Sequence, residues 1–556
     1  MSGPARPRLT AVYAPLPGEN AGLYELHVGS LQLLLEPLGW SVDPRSVLDP
    51  GLAEAVLGAD VVVLGMLTDP EAEGIIRCRR ARGLPTVYEI TDNVLGADWL
   101  PPTHALRSPL ARQSLLYHAH LADALQMLVP ALADLFAAVN PRRIVLSPYL
   151  PFPDDVPPKP DGFVFGWAGS RTHYESLAAS APAVVELCRR HPEATFAYMG
   201  DRAMFDELFA AIAPGQTRVH PFGTQDEHLA FTAGLHAGIA PMRPTPFNAT
   251  RSDTRVVVYA GHGVAPVLED APAHRPHRGR ALIYHDADEL LEHLEALFAD
   301  RALVADLARR AREWADRERS PSALGAERDR AYRALLADVE ERPGAGAAPG
   351  EAEAVAVWAA DGAASEAPPP SAPELCERLA LARERPPEEA LALALALAAE
   401  HPGYEQAHLL AARSLERLGR HDEVLAYVER VEPSPVYADL FAEIAARAAA
   451  RVRPAEREAH VARIGSPFRR ARMAPAGSPR ERGRAVLEHQ PYDHFALAST
   501  IRLLEREDPD SPELEVLYER ACMLAPEDVP EERRPPRLRP FLPEPLTAAA
   551  RTGPRA

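Results

Sequence analysis

Two successive blocks of the chain alternate short apolar runs with helix-length stretches, and this alternation restricts the fold more than any other feature. Neighbouring parallel strands cannot be joined by a tight turn. They need a crossover, which the intervening helical stretches supply. In residues 8–150 the runs are LTAVYA, DVVVLGM, TVYEI, ALQMLV and RIVLSP. From Phe163 the pattern restarts with FVFGWAG, ATFAYMG, TRVHPFG, AGIAPM and LIYHD. Helices are expected there over 174–190, 202–212, 226–234 and 286–298, followed by a long one through Ala315 and another over 322–338. A Pro- and Asp-rich stretch at 151–160, PFPDDVPPKP, separates two α/β units of similar build, 1–155 and 156–340.

The remainder has a different character. Residues 341–372 are Gly, Ala, Pro and Glu, too poor in large apolar side chains to pack, and read as a flexible linker. Few contacts can cross such a linker, so residues 1–340 are expected to fold alone. Beyond it, Glu388-Glu389-Ala390-Leu391 recurs as Asp422-Glu423-Val424-Leu425, with His401-Pro402 and Leu418-Gly419 at helix joints. This spacing resembles tetratricopeptide repeats and predicts an all-α region over 373–530, with a route to a protein partner. Within it, the arginines between Ser466 and Arg484 read as a solvated loop, a partner or lipid-headgroup contact being the alternative. Residues 531–556 form a proline-rich tail, expected to be disordered from Pro535 on.

Composition removes several function classes. A formal net charge of -19 argues against a general binder of nucleic acid or anionic membrane. Cys78, Cys188, Cys376 and Cys522 lie far apart with no CxxC pair, so neither a disulfide framework nor a zinc site is implied. Lys159 is the only lysine, which removes a Walker-type phosphate loop and lysine Schiff-base chemistry. No apolar run is long enough for a membrane span, and MSGPARPRLT lacks the apolar core of a signal peptide. The expected location is the cytoplasm, with a peripheral position at the inner face of the membrane as the alternative.

One segment, residues 247–270, reads as an anion cradle. Ser252 or Asp253 can cap a short helix that Gly261 or Gly263 ends, leaving first-turn N–H groups to face a phosphate. Arg251 and Arg255 stand four apart and can clamp a diphosphate from one side. The β-branched content of Arg255 to Tyr259 allows a buried strand as the competing reading.

A second segment, Gly166-Trp167-Ala168-Gly169-Ser170 with His173 following, lies upstream. Together the two resemble the donor half of GT-B glycosyltransferases, in the retaining, family-four-like branch. Phe247, Asn248, Arg251, Ser252, Asp253, Arg255, Gly261 and Gly263 fit the second motif of that branch. The resemblance covers residues 1–340 and implies two Rossmann-like domains, the first on the acceptor side and the second binding a nucleotide sugar. It implies that Arg171, Arg251 and Arg255 offset charge on the leaving diphosphate. Gly169, Ser170, His173, Phe247, Asn248, Ser252 and Asp253 would line the donor site. Gly22, in a loop after the first strand, and Asp92, at the end of TVYEI, would face it from the acceptor side.

The implied activity is hexosyl transfer from a nucleotide sugar to a glycan or glycolipid, as in polysaccharide biosynthesis, without metal or other cofactor. The chain departs from the pattern at Val258 and Thr250, where relatives carry glutamates, the first of which holds the nucleotide ribose. Valine accepts no hydrogen bond. A catalytically degenerate scaffold is therefore the alternative reading, with Asp253, Glu269 or Asp270 as candidate substitutes for the missing carboxylate.

Overall fold

The computed structural model describes residues 6–14, 30–95, 107–340, 371–473 and 478–542. Two six-stranded sheets carry the first two-thirds of the chain, and every strand pairing in them is parallel. The first contains β1 (Arg8–Tyr13), β2 (Ser41–Ser46), β3 (Val61–Gly65), β4 (Thr86–Ile90), β5 (Ala124–Met127) and β6 (Arg143–Val145), in the order β2-β1-β3-β4-β5-β6. The second contains β7 (Phe163–Ala168), β8 (Ala194–Met199), β9 (Thr217–His220), β10 (Ala237–Ala240), β11 (Ala265–Glu269) and β12 (Leu282–Tyr284), in the order β12-β11-β10-β7-β8-β9. These are the two Rossmann-like units that the alternation implied.

Two strands escape the sequence reading. β2 reads Ser-Val-Asp-Pro-Arg-Ser and forms an edge, where Pro44 can sit without costing the sheet a ladder hydrogen bond. β11 is interrupted by Pro266 and starts one residue after Val264, hard against the preceding helix, yet all five of its residues are buried.

That preceding helix settles the competing readings of the cradle: Thr254–Gly261 is α-helical, and Val256 and Val257 bury against the second sheet. Tyr259 lies over Gly238, where an added Cβ would stand 2.5 Å from its ring, and donates its hydroxyl to Ile239 O at 2.7 Å. Gly263, at φ 63, takes the left-handed conformation that turns the chain into β11. Lys159 stays structural: its ammonium caps the carbonyls of Ala233 and His262 at 3.0 and 2.7 Å.

The helix Pro321–Glu340 leaves the second unit and packs on the first sheet. Tyr332 donates to Gln126 Oε1 at 2.6 Å, and Trp40 Nε1 donates to Asp329 at 2.7 Å.

The helical region, from Pro373–Arg383 to Glu513–Leu524, is not the detached module that the linker composition predicts. It shares one continuous apolar core with a face of the first sheet. Helix Glu71–Ala81 meets helix Pro435–Val452 so closely that a Cβ on Gly74 would fall 2.1 Å from Val436 O. Tyr404 donates to Leu48 O at 2.7 Å, and Gln406 donates to Asp49 O at 2.7 Å.

The arginine-rich stretch turns inward in part. Arg469 lies 2.7 Å from Glu73, which is 2% exposed, and also pairs with Glu443. A buried carboxylate of this kind needs its cation in place. Within the described residues the tail is packed down, with Leu538 and Leu542 inside the shared core, because those two leucines supply the apolar anchor that its overall composition hides.

Candidate functional site

The topology of the second sheet locates the site before any side chain is considered. The chain runs outward through β7, β8 and β9, then returns to the other side of β7 to lay down β10. Open parallel sheets bind ligands beyond the carboxyl ends of the strands at such a reversal. The segments leaving β7 and β10 there are Gly169–His173 and Pro241–Arg255.

β7 ends in a fully buried Trp167, and Gly169 N donates to Met199 O at 3.0 Å. Ser170 is extended, its hydroxyl 2.6 Å from Thr172 Oγ1, and a 3₁₀ turn over Arg171–His173 leads into helix Tyr174–Arg190. From the other segment, Arg255 brings its guanidinium to 5.5 Å from the Trp167 ring and donates to Ala168 O at 3.2 Å. Among the described residues no carboxylate pairs with Arg255. A half-buried cation with no anion beside it is costly unless a ligand supplies one.

Arg251 stacks 5.0 Å from the Phe247 ring and reaches across the cleft to Asp92, at 3.6 Å. Asp92 follows β4 of the first sheet, so this ion pair joins the two units. Asn248 spends its amide on Arg243 O at 2.8 Å and holds the 243–248 loop in shape. Ser252 pairs with Thr254, Oγ to Oγ1, at 2.7 Å.

Arg255 is felt by three histidines around it. Burial, reinforced by Arg255 and Arg251, holds His173 well below its ordinary value. Burial and Arg255 push His228 down to about 4. His274 also falls to about 4, burial and Arg255 outweighing its hydrogen bond to Glu269 O. All three imidazoles are therefore neutral near pH 7. Trp167 Nε1 and His274 Nε2 are buried and make no hydrogen bond. Sequence reading passed over His228 and His274 as site groups, since isolated histidines carry no spacing signal.

Two expected site residues are otherwise engaged. Asp253 occupies the cap position of helix Thr254–Gly261, but its carboxylate accepts no hydrogen bond from that helix. It accepts from His277 Nε2 at 3.1 Å and Arg319 at 2.8 Å. Burial alone would raise its carboxyl; those two partners prevail and hold it below the ordinary range. Arg171 is 55% exposed and lies 3.5 Å from both Asp201 and Glu207, apart from the Arg251–Arg255 pair. Gly22 lies outside the described residues.

Val258 is 3% exposed. Of the candidate substitutes for its missing carboxylate, Asp270 is held by Arg275 at 3.0 Å. Glu269 accepts from Met242 N at 2.6 Å, and burial raises its pKa. Among the described residues no group of three or more His, Cys, Asp or Glu is placed to hold a metal ion.

No protein-family model matches the chain, and no curated protein does. Solved structures do. The HepE protein of Anabaena in complex with UDP-glucose is 12% identical over 59% of this chain and 99% of its own, with a TM-score of 0.42. A glycosyltransferase from Rickettsia africae is 9% identical over 60% of this chain and 99% of its own, at 0.45. TarM is 9% identical at 0.38, and this chain spans 54% of its length. At such low identity the reading of the site rests on its own geometry.

Proposed function

We propose that the chain is a glycosyltransferase using a nucleotide sugar as donor. The observation that carries this reading is Arg255, a half-buried guanidinium without a carboxylate at the reversal of a parallel sheet, beside the backbone of Gly169. A nucleoside diphosphate supplies the missing anion. Arg251 and Arg255 hold its phosphates and offset the charge that develops as the sugar bond breaks, a task needing fixed cations more than a strong base. Transfer with retention, a glycan or glycolipid acceptor, independence of metal, a cytoplasmic setting and a protein partner for the helical region complete the proposal.

The test is calorimetry with a panel of nucleoside diphosphates and nucleotide sugars, with donor hydrolysis measured alongside. Arg255→Ala is expected to weaken diphosphate binding by about 2–4 kcal/mol, the cost of removing a charge-assisted partner from a buried phosphate. Binding and hydrolysis persist in excess EDTA. Unchanged affinity in Arg255→Ala overturns the site, and strict dependence on added divalent metal overturns the role given to the arginines.

A second reading, a scaffold that binds the donor without turnover, is favoured by one observation, the buried valine at position 258. Release of nucleoside diphosphate from any nucleotide sugar decides against it.

A further inference from the structure

Three distant parts of the chain converge on the amide of one buried residue. Asn93, 0% exposed, follows β4 of the first unit. Its Nδ2 donates to Pro246 O of the second unit at 3.3 Å and to Phe541 O of the tail at 2.9 Å.

The tail is brought there by design of the packing around it. Arg112 of the first unit, 3% exposed, donates to Leu524 O at the end of the last long helix and pairs with Glu527 at 3.1 Å. Arg534, 4% exposed, then ties the following turn to Pro526 O at 2.7 Å. Leu538 and Leu542 sink into the core that the first sheet shares with the helical region. The 3₁₀ turn between them, Arg539–Phe541, lies against the 3₁₀ turn Asn248–Thr250 of the second unit.

This placement adds Pro540 to the lining of a half-open pocket of about 300 Å³ at the carboxyl ends of β10 and β11. Its polar lining is Arg243, Thr245, Asn248 and the Asp270–Arg275 ion pair, while Pro244 and Pro272 line it with apolar ring faces; Pro540 stands in its wall from the tail. Polar groups that fix orientation, set in an apolar lining, suit a compact ligand with both kinds of surface. A polyhydroxylated ring has hydroxyls at its rim and C–H groups on its faces.

We propose that the segment Pro535–Leu542, carried by the helical region, is a specificity-determining wall of this pocket and decides which polyhydroxylated ring it admits. The proposal rests on the glycosyltransferase reading and goes beyond it by making the helical region part of the binding site. The ring comes either from the donor sugar or from the acceptor.

The experiment uses the full chain and two variants, Pro540→Trp, which fills the pocket from the tail side, and Arg243→Ala, which opens its opposite side. Thermal melts establish that each is folded. Binding is measured with a nucleoside diphosphate, with the corresponding nucleotide sugar and, by saturation-transfer NMR, with free monosaccharides. Pro540→Trp is expected to leave nucleoside diphosphate affinity within about twofold. If the ring is the donor's, the nucleotide sugar weakens at least tenfold. If it is the acceptor's, donor affinity holds and the monosaccharide signals vanish. Should Pro540→Trp fail to fold, the same two patterns are sought in Arg243→Ala together with Pro540→Gly.

Nucleoside diphosphate binding with no change in either sugar readout overturns the proposal and leaves the reading of the site intact. Loss of monosaccharide signals in a protein that binds no nucleoside diphosphate supports the wall and overturns the donor reading. Absence of every signal in the wild-type chain overturns both.

Discussion

Arg255 and Val258 lie one turn apart on the same helix, and their surroundings make opposite demands. Arg255 reaches the cleft edge, where charge is wanted. Val258 is 3% exposed, and a carboxylate there would lie inside the protein without a partner. Val258→Glu is therefore expected to destabilise the fold by several kcal/mol, on the order of 3, and to leave ribonucleotide binding no tighter. A thermal melt with calorimetry against matched ribo- and deoxyribonucleotides checks both parts; selective tightening of the ribonucleotide would restore the family's ribose contact.

His274 gives a pH prediction at the same scale. Its ordinary value is 6.5 and the folded value about 4, so the unfolded chain takes up a proton that the folded chain refuses. Stability then falls as pH drops from about 6.5 towards 4, by on the order of 3 kcal/mol for one fully buried group. Denaturant unfolding at pH 7, 5.5 and 4.5 is expected to show at least that slope, and His274→Asn to reduce it while leaving the share of His173 and His228. An equal slope in the variant would assign the acid sensitivity to other groups.

Among the secondary-structure elements, helix Thr254–Gly261 meets the sheet at one contact that leaves no room for an added atom. Tyr259 can lie on β10 only because Gly238 has no side chain. Gly238→Ala is expected to push the helix off the strand and destabilise by about 1–3 kcal/mol, the usual cost of overpacking, with a matching fall in diphosphate affinity because Arg255 rides on that helix. A melt without loss of binding would show that the helix re-seats.

This helix also marks how far the sequence could be read. Its ends were legible in the spacing of Asp253, Gly261 and Gly263, whereas Val256, Val257 and Val258 argued for a strand until burial against the sheet decided for the helix. β2 and β11 stayed hidden because Pro44 and Pro266 break the apolar runs that announce their neighbours. Arg251 and Asp92, which pair across the cleft at 3.6 Å, were both candidates from position and charge. The engagement of Asp253 could not be read in that way, since its partner Arg319 is sixty-six residues away and only folding brings them together.

For the molecule as a whole, the decisive surface is the one between the first sheet's helices and the helical region. Cutting the chain after residue 340 would strip Tyr117 of its contact with Phe468, rings 5.0 Å apart, and take Arg469 from Glu73 and Glu527 from Arg112. The composition of 341–372 promised a clean boundary, but a linker's composition reports nothing about what its two ends dock onto. A 1–340 fragment is expected to be aggregation-prone, and co-expression with 371–556 to rescue its solubility. Gly74→Val in the full chain, which collides with the Val436 backbone, is expected to reproduce the defect. Sedimentation and a melt of the fragment alone check this; a soluble, cooperatively folded 1–340 would show the shared core to be dispensable.

The anchoring of the tail bears on the energetics of turnover. Leu538 and Leu542 belong to the body that contains the first sheet, whereas the pocket that Pro540, between them, helps to line is otherwise built on the second. Any swing that parts the two units carries Pro540 away from Arg243 and breaks the bond between Asn93 and Pro246. Were the units to part, the pocket would lose that wall, and the free energy of bringing them together again would be drawn from the ligand's own affinity. A ring too bulky to let Pro540 return would be held loosely and leave quickly, whereas one that fits would be retained behind a closed door; selection would then appear in the residence time more than in the rate of arrival.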